Sequence, residues 1–348
     1  MSARPMLRGS LFAVASAACF GGTVPAVQYF SRDVGPWSTA ALLYAGAVVG
    51  ALRITGASGS RRFSRAHLVR LATVAVLGAA LAPALLAMGL RRIDGASASL
   101  LLDFEAAFTV LLARALYREV ISRRVILALG VMTAGGLTLL GPALAAPRLA
   151  LGSAAVLGAV LCWALDSALT RPLSDLDPPR VVMGKSAIGI TLSLAVALAA
   201  REPLPSLSHG LGLLGCGAIG YGVGLQLYLL AQRHVGAART ASVFATAPFF
   251  GAAVALAAGA HAPGLSLAAA GGLLAMGTYL LATERHEHAH EHGEMEHDHL
   301  HRHDDGHHDH THDEPGFSPE REHSHPHRHE HVAHTHPHAD DEQHRHEH

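Results

Sequence analysis

The sequence reads GASASLLLDFEAAFTVLLARALYRE from Gly95 to Glu119, an apolar run that carries two acids, Asp103 and Glu105, near its middle. The run is too apolar for a surface helix of a soluble protein, and its length suits a helix that crosses a lipid bilayer. A carboxylate inside such a helix is costly and usually has a function or a partner. This stretch therefore predicts a membrane-spanning helix with ionisable groups inside it.

The same stretch has a counterpart later in the chain. Residues 236 to 260, GAARTASVFATAPFFGAAVALAAGA, align with residues 95 to 119 without a gap. A second similarity supports the first, because ACF at 18–20 resembles LCW at 161–163. We therefore predict two copies of one unit, and an internal repeat in a hydrophobic protein is typical of transporters.

The charge balance divides the chain into two unlike parts. Residues 1–283 hold 21 of the 26 basic residues and 9 of the 27 acidic ones, a balance of +12. Residues 284–348 hold 5 basic and 18 acidic residues, a balance of −13, with 23 of the 27 histidines. We predict a first repeat at 1–143, a second repeat at 144–283 and a separate tail at 284–348.

Ten runs of membrane-spanning length fill the first part, since about 20 apolar residues cross a bilayer as a helix. They lie at 8–32, 33–53, 70–91, 94–114, 124–148, 148–171, 180–201, 202–233, 240–259 and 264–283. A transmembrane barrel would need short segments of alternating polarity, which these runs lack. The prediction is an all-α integral membrane protein with ten transmembrane helices.

Basic residues in the connecting segments indicate how the chain is inserted. With the N-terminus inside the cell, fifteen arginines fall on the cytoplasmic side and five on the other, which follows the positive-inside rule. We therefore expect a multi-pass protein of the bacterial inner membrane with both termini in the cytoplasm. Because each repeat has five spans, an odd number, the two repeats are predicted to be inverted relative to each other.

Three segments resemble one known family. They are LLLDFEAAFTVLLARALYRE at 100–119, CWALDSALTRPLSDLDPPRVVMGKSAIG at 162–189 and GYGVGLQLYLLAQRHVGAARTASVFATAPFFGA at 220–252. They are similar to the EamA-type members of the drug/metabolite transporter superfamily, and the resemblance covers nearly all of residues 8–283. It implies a ten-helix carrier of small metabolites, proton-coupled or facilitative and often an exporter.

Lys185 is the only lysine of the chain, and it lies about five residues into the seventh predicted span. Burying an ammonium group without a partner is costly, so we expect a counter-charge. Asp166, on the preceding span at a similar depth, is the candidate. The pair could act as a gate or substrate clamp, or it could fix how the two helices pack.

Asp103 and Glu105 cannot both face one cavity, because residues two apart on a helix point about 200° apart. The family resemblance favours Glu105 as the acid of the cavity, where a carboxylate that exchanges a proton would couple transport to protons. Asp103 remains a second candidate. Trp163, Tyr221 and Gln226 could line the same cavity, although such residues in spans are more often packing or interface anchors.

The tail repeats the pattern His-x-His and has few apolar residues, so we predict that it is disordered in isolation. Histidines two apart in an extended chain lie on one side and can close on a divalent ion, and imidazole suits zinc, nickel, cobalt and copper. The candidate metal ligands are His286, His288, His290, His292, His297, His299, His301, His303, His307, His308, His310, His312, His323, His325, His327, His329, His331, His334, His336 and His338.

Two other readings of the tail stay open. It could be a pH-responsive polyelectrolyte, because the histidines become positively charged as the pH falls through their ordinary pKa of about 6.5. It could also be a solvated appendage without a selected role.

Three functions are compatible with these features. The first is a secondary transporter of a small organic metabolite, exporting it, with a metal-binding cytoplasmic tail. The second is a zinc, nickel or cobalt efflux permease, and the third is a membrane-anchored metal buffer or sensor. The first part lacks a nucleophile with its base and a phosphate loop, so we do not expect an enzyme. Partners would be the lipid bilayer, a small-molecule substrate and transition-metal ions on the tail, with no required cofactor and no nucleic acid; a homodimer stays open.

Overall fold

The computed structural model describes most of the chain. The described residues are 3–51, 65–117, 121–144, 146–170, 178–235, 237–259 and 264–283 and, in the tail, 286–292, 295–301, 323–329 and 332–338. The chain forms two units, residues 1–284 and residues 285–348, which we describe separately.

Helices form the whole regular structure of the described part of the first unit. Six of them are continuous: α1 (Ala3–Phe30), α2 (Pro36–Ala51), α5 (Arg123–Leu144), α6 (Pro147–Thr170), α7 (Pro178–Ala199) and α10 (Gly264–Ala282). The other four change geometry part-way. Helix α3 comprises Arg65–Val74, a π-helical turn Ala75–Leu81 and Ala82–Leu90, and α8 comprises Leu207–Cys216, a π-helical turn Gly217–Val223 and Gly224–Val235.

Helices α4 and α9 are broken in the middle. Helix α4 consists of Gly95–Leu101 and Phe104–Tyr117, and α9 consists of Ala237–Phe244 and Ala247–Ala257. Pro248 explains the second break, because proline fits the first turn of a helix but not its interior. We predicted α4 as one continuous helix, and the structure instead interrupts it at Leu102 and Asp103, so that Asp103 lies in the break and Glu105 in the second half.

Nine helical stretches in the described residues are long and apolar enough to cross a membrane. Each coincides with one of the ten predicted spans. The remaining predicted span, 33–53, coincides with α2, whose described part is 16 residues long. The first unit is thus an all-α multi-pass membrane unit, and the count of ten spans stays a prediction.

Corresponding helices of the two repeats make corresponding contacts. Helix α1 packs on α8 and α9, while its counterpart α6 packs on α3 and α4. Helix α2 packs on α8 as its counterpart α7 packs on α3, and the pairs α2–α7, α4–α9 and α5–α10 join corresponding helices. If each helix of the first repeat is exchanged with its counterpart in the second, α1 with α6 and so on to α5 with α10, the list of main contacts stays the same. This is expected when a two-fold axis relates the repeats.

Glycines allow the closest of these contacts. A Cβ added to Gly46 of α2 would lie 2.1 Å from the carbonyl oxygen of Leu214, and one added to Gly50 would lie 2.5 Å from that of Ala218. The spacing of Gly46 and Gly50 matches the small-residue motif of helix pairs in membranes. Here it brings the backbone of α2 against α8.

The second unit contains four strands, although its sequence predicts a disordered tail. They are β1 (His286–His292), β2 (Met295–His301), β3 (His323–His329) and β4 (Val332–His338). Strand β1 pairs with β4 and β2 with β3, both antiparallel. The alternation of histidine with other residues matches the two-residue period of a strand, which explains the difference. A two-stranded pair has little stability of its own.

Candidate functional site

The predicted pair between α6 and α7 is present. Lys185 Nζ donates a hydrogen bond to Asp166 Oδ2, and the two side chains are 20% and 8% exposed. The pair joins the two helices that begin the second repeat. An ion pair with so little access to water needs further polar support, which its surroundings provide.

The π-helical turn of α3 forms one side of this site. The N–H of Ala82, directly after the turn, donates to the carbonyl of Leu77, five residues back, and Pro83 has no N–H. The two backbone donors that would normally reach the Gly78 carbonyl therefore do not. Tyr44 Oη donates to that carbonyl at 2.7 Å and Trp163 Nε1 at 3.1 Å. The turn thus fixes two aromatic side chains, from α2 and α6, beside the ion pair.

Glycine at position 78 also makes room for Asp166. A Cβ added to Gly78 would lie 2.1 Å from Asp166 Oδ2. The corresponding turn of α8 has Gly220, where an added Cβ would lie 2.5 Å from Thr23 Oγ1. Each repeat therefore places a glycine of a π-helical turn against a polar side chain of the other repeat. Only one of those side chains, Asp166, carries a charge.

Aromatic rings cover the interior next to the pair. The ring of Phe20 lies edge-on to Trp163, with centroids 6.1 Å apart, and edge-on to Tyr221 at 5.5 Å. Tyr221 also contacts Tyr44 at 5.7 Å. These four rings come from α1, α2, α6 and α8, so both repeats contribute to one aromatic wall.

Glu105 belongs to the same site. It lies at the start of the second half of α4, and its side chain is partly accessible. The carboxylate is within electrostatic reach of both Asp166 and Lys185, and of the phenols of Tyr44 and Tyr221. Two carboxylates and one ammonium therefore share this interior, and when all three are charged the site has an excess of one negative charge.

Asp103 lies elsewhere. It is 3% exposed, and Thr278 Oγ1 of α10 lies 2.9 Å from its Oδ1 and 2.8 Å from its Oδ2. Its immediate neighbours along α4, Ala96, Leu100 and Ala107, belong to the apolar cluster shared with α9 and α10. The two acids of α4 therefore have different neighbours, and only Glu105 is within electrostatic reach of the ion pair.

Gln226 is also separate from the pair. Its Nε2 donates to the carbonyl of Gly50 at the end of α2, at 2.6 Å. This contact ties α8 to α2 and satisfies a backbone carbonyl near a helix end. Of the predicted site residues, the structure thus brings together Glu105, Trp163, Asp166, Lys185 and Tyr221, and it places Asp103 and Gln226 apart.

The described side chains include no group of three or more His, Cys, Asp or Glu residues arranged to hold a metal ion. Fourteen of the predicted metal ligands lie in the strands of the tail, where the backbone register is described. It places His286 opposite His338, His288 opposite His336 and His290 opposite His334, and β2 and β3 repeat this arrangement. The other six lie outside the described residues: His303, His307, His308, His310, His312 and His331.

Sequence reasoning missed Phe20, Tyr44 and Gly78. A signal for Gly78 exists, because Pro83 in the middle of an apolar run disturbs the helical hydrogen bonds of the preceding turn. Phe20 had a weaker signal in its alignment with Trp163. Nothing in the sequence of α2 distinguishes Tyr44 from an interface tyrosine.

Comparison with known proteins agrees with this architecture. The sequence pattern of the EamA-like transporter family matches residues 7–141 and again residues 150–283. The chain belongs to the EamA-like transporter family. Its two matches correspond to the two repeats, and the family is one of membrane transporters.

Two relatives of this EamA-like chain are informative. An uncharacterized transporter of Methanothermobacter thermautotrophicus is 26% identical over 218 residues, which cover 59% of this chain and 61% of that protein. A solved crystal structure superposes with a TM-score of 0.59 at 19% identity, covering 81% of this chain and 99% of the other. The second likeness shows the fold alone.

Proposed function

We propose that this EamA-like protein is a secondary transporter that exports a small organic metabolite, with Glu105 as its exchangeable acid and the Asp166–Lys185 pair as its gate. The observation that carries the proposal is that a charged pair, with Glu105 within electrostatic reach of it, lies beside aromatic rings contributed by both repeats. Ionisable residues inside membrane spans usually mark the path of a substrate or a proton.

The charge of the site suggests what Glu105 does. Lys185 balances Asp166, so the carboxylate of Glu105 can accept either a proton or a positively charged group of the substrate. The faces of the neighbouring aromatic rings attract cations as well. A proton and an organic cation would compete for the carboxylate of Glu105. Such competition is the simplest way to couple proton entry to substrate export.

The fold allows the change between two open states that a transporter needs. Packing in which each repeat contacts the other through corresponding helices lets one bundle rock against the other. Glu105 and Asp166 belong to different repeats, so rocking would change the distance between them. We place the protein in the bacterial inner membrane with both termini in the cytoplasm, as the arginine distribution indicates.

The test uses two acids that lie two residues apart. We expect Glu105→Gln to reduce transport at least tenfold, because it removes the exchangeable proton while keeping the shape of the side chain. Asp103→Asn is the matched control and should keep transport within about twofold, because Asp103 contacts only Thr278 among its polar neighbours in the described residues. Metabolite profiling of cells with and without the protein identifies the substrate, and proteoliposomes then give the rates.

Two outcomes would contradict the proposal. If Glu105→Gln transports as fast as the unsubstituted protein, Glu105 is not the coupling acid. If Asp103→Asn fails to transport while Glu105→Gln succeeds, the roles of the two acids are reversed. Equal amounts of folded protein in the membrane, measured by size-exclusion chromatography after extraction, are required for either comparison.

A second function is proposed for the tail, which we infer binds divalent transition metals such as zinc, nickel or cobalt. The supporting observation is the register of both strand pairs, which sets histidine opposite histidine at every second position, three times in each pair. Directly opposite residues of an antiparallel pair have Cα atoms about 4.5–5.5 Å apart, and imidazole is a good ligand for these metals.

Removal of residues 284–348 should abolish metal binding. Titrating zinc into the purified full chain by calorimetry is expected to show several bound ions, and the shortened chain fewer than one. Growth on zinc, nickel and cobalt then separates the roles. If deleting the tail and Glu105→Gln both remove metal resistance, the protein exports the metal itself; if only the tail matters, the tail acts as a buffer.

A further inference from the structure

A cavity of about 410 Å³ lies between the C-terminal ends of α1 and α3 and the N-terminal end of α6. Four arginines line it: Arg32, Arg91, Arg92 and Arg148. A neighbouring cavity of about 380 Å³ shares the last three of them. Neither cavity contains a residue of the Glu105 site.

The convergence of these arginines is unexpected for this side of the membrane. In the predicted orientation this face carries five arginines against fifteen on the cytoplasmic face. Four of those five line one cavity, although they come from segments up to 116 residues apart in the chain. Like charges brought together repel one another, so such a cluster needs counter-charges.

No carboxylate of the described residues forms an ion pair with them. Arg92 Nη1 donates to the carbonyl of Met88 at 2.6 Å, and Arg148 Nη2 donates to that of Arg91 at 3.4 Å. Arg32 lies over the ring of Tyr29, 5.4 Å from its centroid. Two acids lie close to these arginines in sequence. Asp33, next to Arg32, is exposed and lies 4.0 Å from His209 Nδ1, and Asp94 accepts from the amide of Ser97 as a helix cap. Each guanidinium has five donors, so most of them are left for a ligand.

The cavity wall is held in place by the protein itself. Gln28 Nε2 donates to the carbonyls of Leu90 and Ile93, at 3.0 and 2.9 Å, which fixes the end of α3 against α1. Arg148 is the second residue of α6, where the helix dipole disfavours a cation and favours an anion. Its position is therefore explained by a bound anion better than by the helix.

We propose that this cavity, the arginine vestibule, is a binding site for a phosphate-type oxyanion. Guanidinium groups bind phosphate through two parallel hydrogen bonds, and several guanidiniums together favour a ligand with more than one negative charge. The volume suits a small molecule. The phosphate can belong to a free anion or to the headgroup of an anionic lipid, and the site is independent of the transport chemistry at Glu105.

The first arm of the test measures inorganic phosphate. Phosphate titrated into the purified full chain by calorimetry should bind saturably, and the double variant Arg91→Gln with Arg148→Gln should bind at least tenfold more weakly. Arg201→Gln is the matched control, because Arg201 is the fifth arginine of the same predicted face and does not line the cavity. It should bind phosphate like the unsubstituted protein.

The second arm measures lipid. The protein is reconstituted with phosphatidylcholine alone or with added phosphatidylglycerol, and retained lipid is counted by native mass spectrometry. Phosphatidylglycerol retention that requires Arg91 and Arg148, without binding of inorganic phosphate, assigns the site to a headgroup. If neither ligand depends on these arginines, the proposal is overturned. Should the glutamine variant fail to fold, Arg91→Lys with Arg148→Lys keeps the charge, loses the paired geometry and is expected to weaken binding measurably.

Discussion

Lys185→Met is expected to lower the melting temperature of the purified protein by about 10 °C. Removing one partner of a buried ion pair costs about 3–5 kcal/mol, because the other charge stays in a poorly hydrated place. Here Asp166 would lose the ammonium that balances it, while its carboxylate stays buried against Gly78 of α3. Thermal unfolding in detergent, followed by intrinsic fluorescence, gives the measurement.

The double variant Lys185→Met with Asp166→Asn separates packing from gating. It contains neither charge, so we expect it to recover most of the lost stability. If the pair is a gate, transport should stay at least tenfold below that of the unsubstituted protein even though the fold is restored. If the double variant transports normally, the pair only fixes how α6 packs on α7, and the gate must be sought elsewhere.

Gly217→Ala is expected to have the second largest effect. An added Cβ would lie 2.0 Å from the carbonyl oxygen of Leu43 and 2.9 Å from its Cα. Because these are backbone atoms, no side chain can move aside, and α2 and α8 must separate. Overpacking of this kind typically costs 1–3 kcal/mol, so we expect a clear fall in melting temperature, and Gly46→Ala on the opposing helix should behave alike.

Gly130→Ala provides the control for that result. Gly130 lies inside α5, is exposed, and has no atom within 4 Å of an added Cβ in the described structure. Alanine is favoured over glycine in a helix interior by up to about 1 kcal/mol, so this variant should keep or slightly raise the melting temperature. If all three variants lose the same stability, close approach of α2 and α8 is not the reason.

Much of the candidate site could be predicted from single residues. Lys185 is the only lysine and lies in an apolar run, so the cost of burying an ammonium group was enough to predict a partner on the neighbouring helix. Consecutive antiparallel helices bring residues of similar depth together, which pointed to Asp166. The structure shows that pair.

Other parts could not be read from the chain because they depend on contacts between distant segments. Thr278 lies 175 residues from Asp103, and its contact with that acid separates Asp103 from Glu105. A continuous α4 would also have pointed the two acids apart, but it could not show which helix each one meets. The first half of α4 and the break contain no proline that would have predicted the interruption.

The sequence by itself determined that the chain is a membrane protein of two repeats, because runs of about 20 apolar residues have only one stable environment and their duplication is visible as alignment. Tertiary structure alone decided that the acid of α4, the ion pair of α6 and α7 and four aromatic rings share one interior, and that four arginines surround one vestibule. The physical reason is the distance along the chain over which each property is decided. Whether a helix enters the lipid depends on its own residues, whereas the neighbours of a charge depend on how helices far apart in the chain pack together.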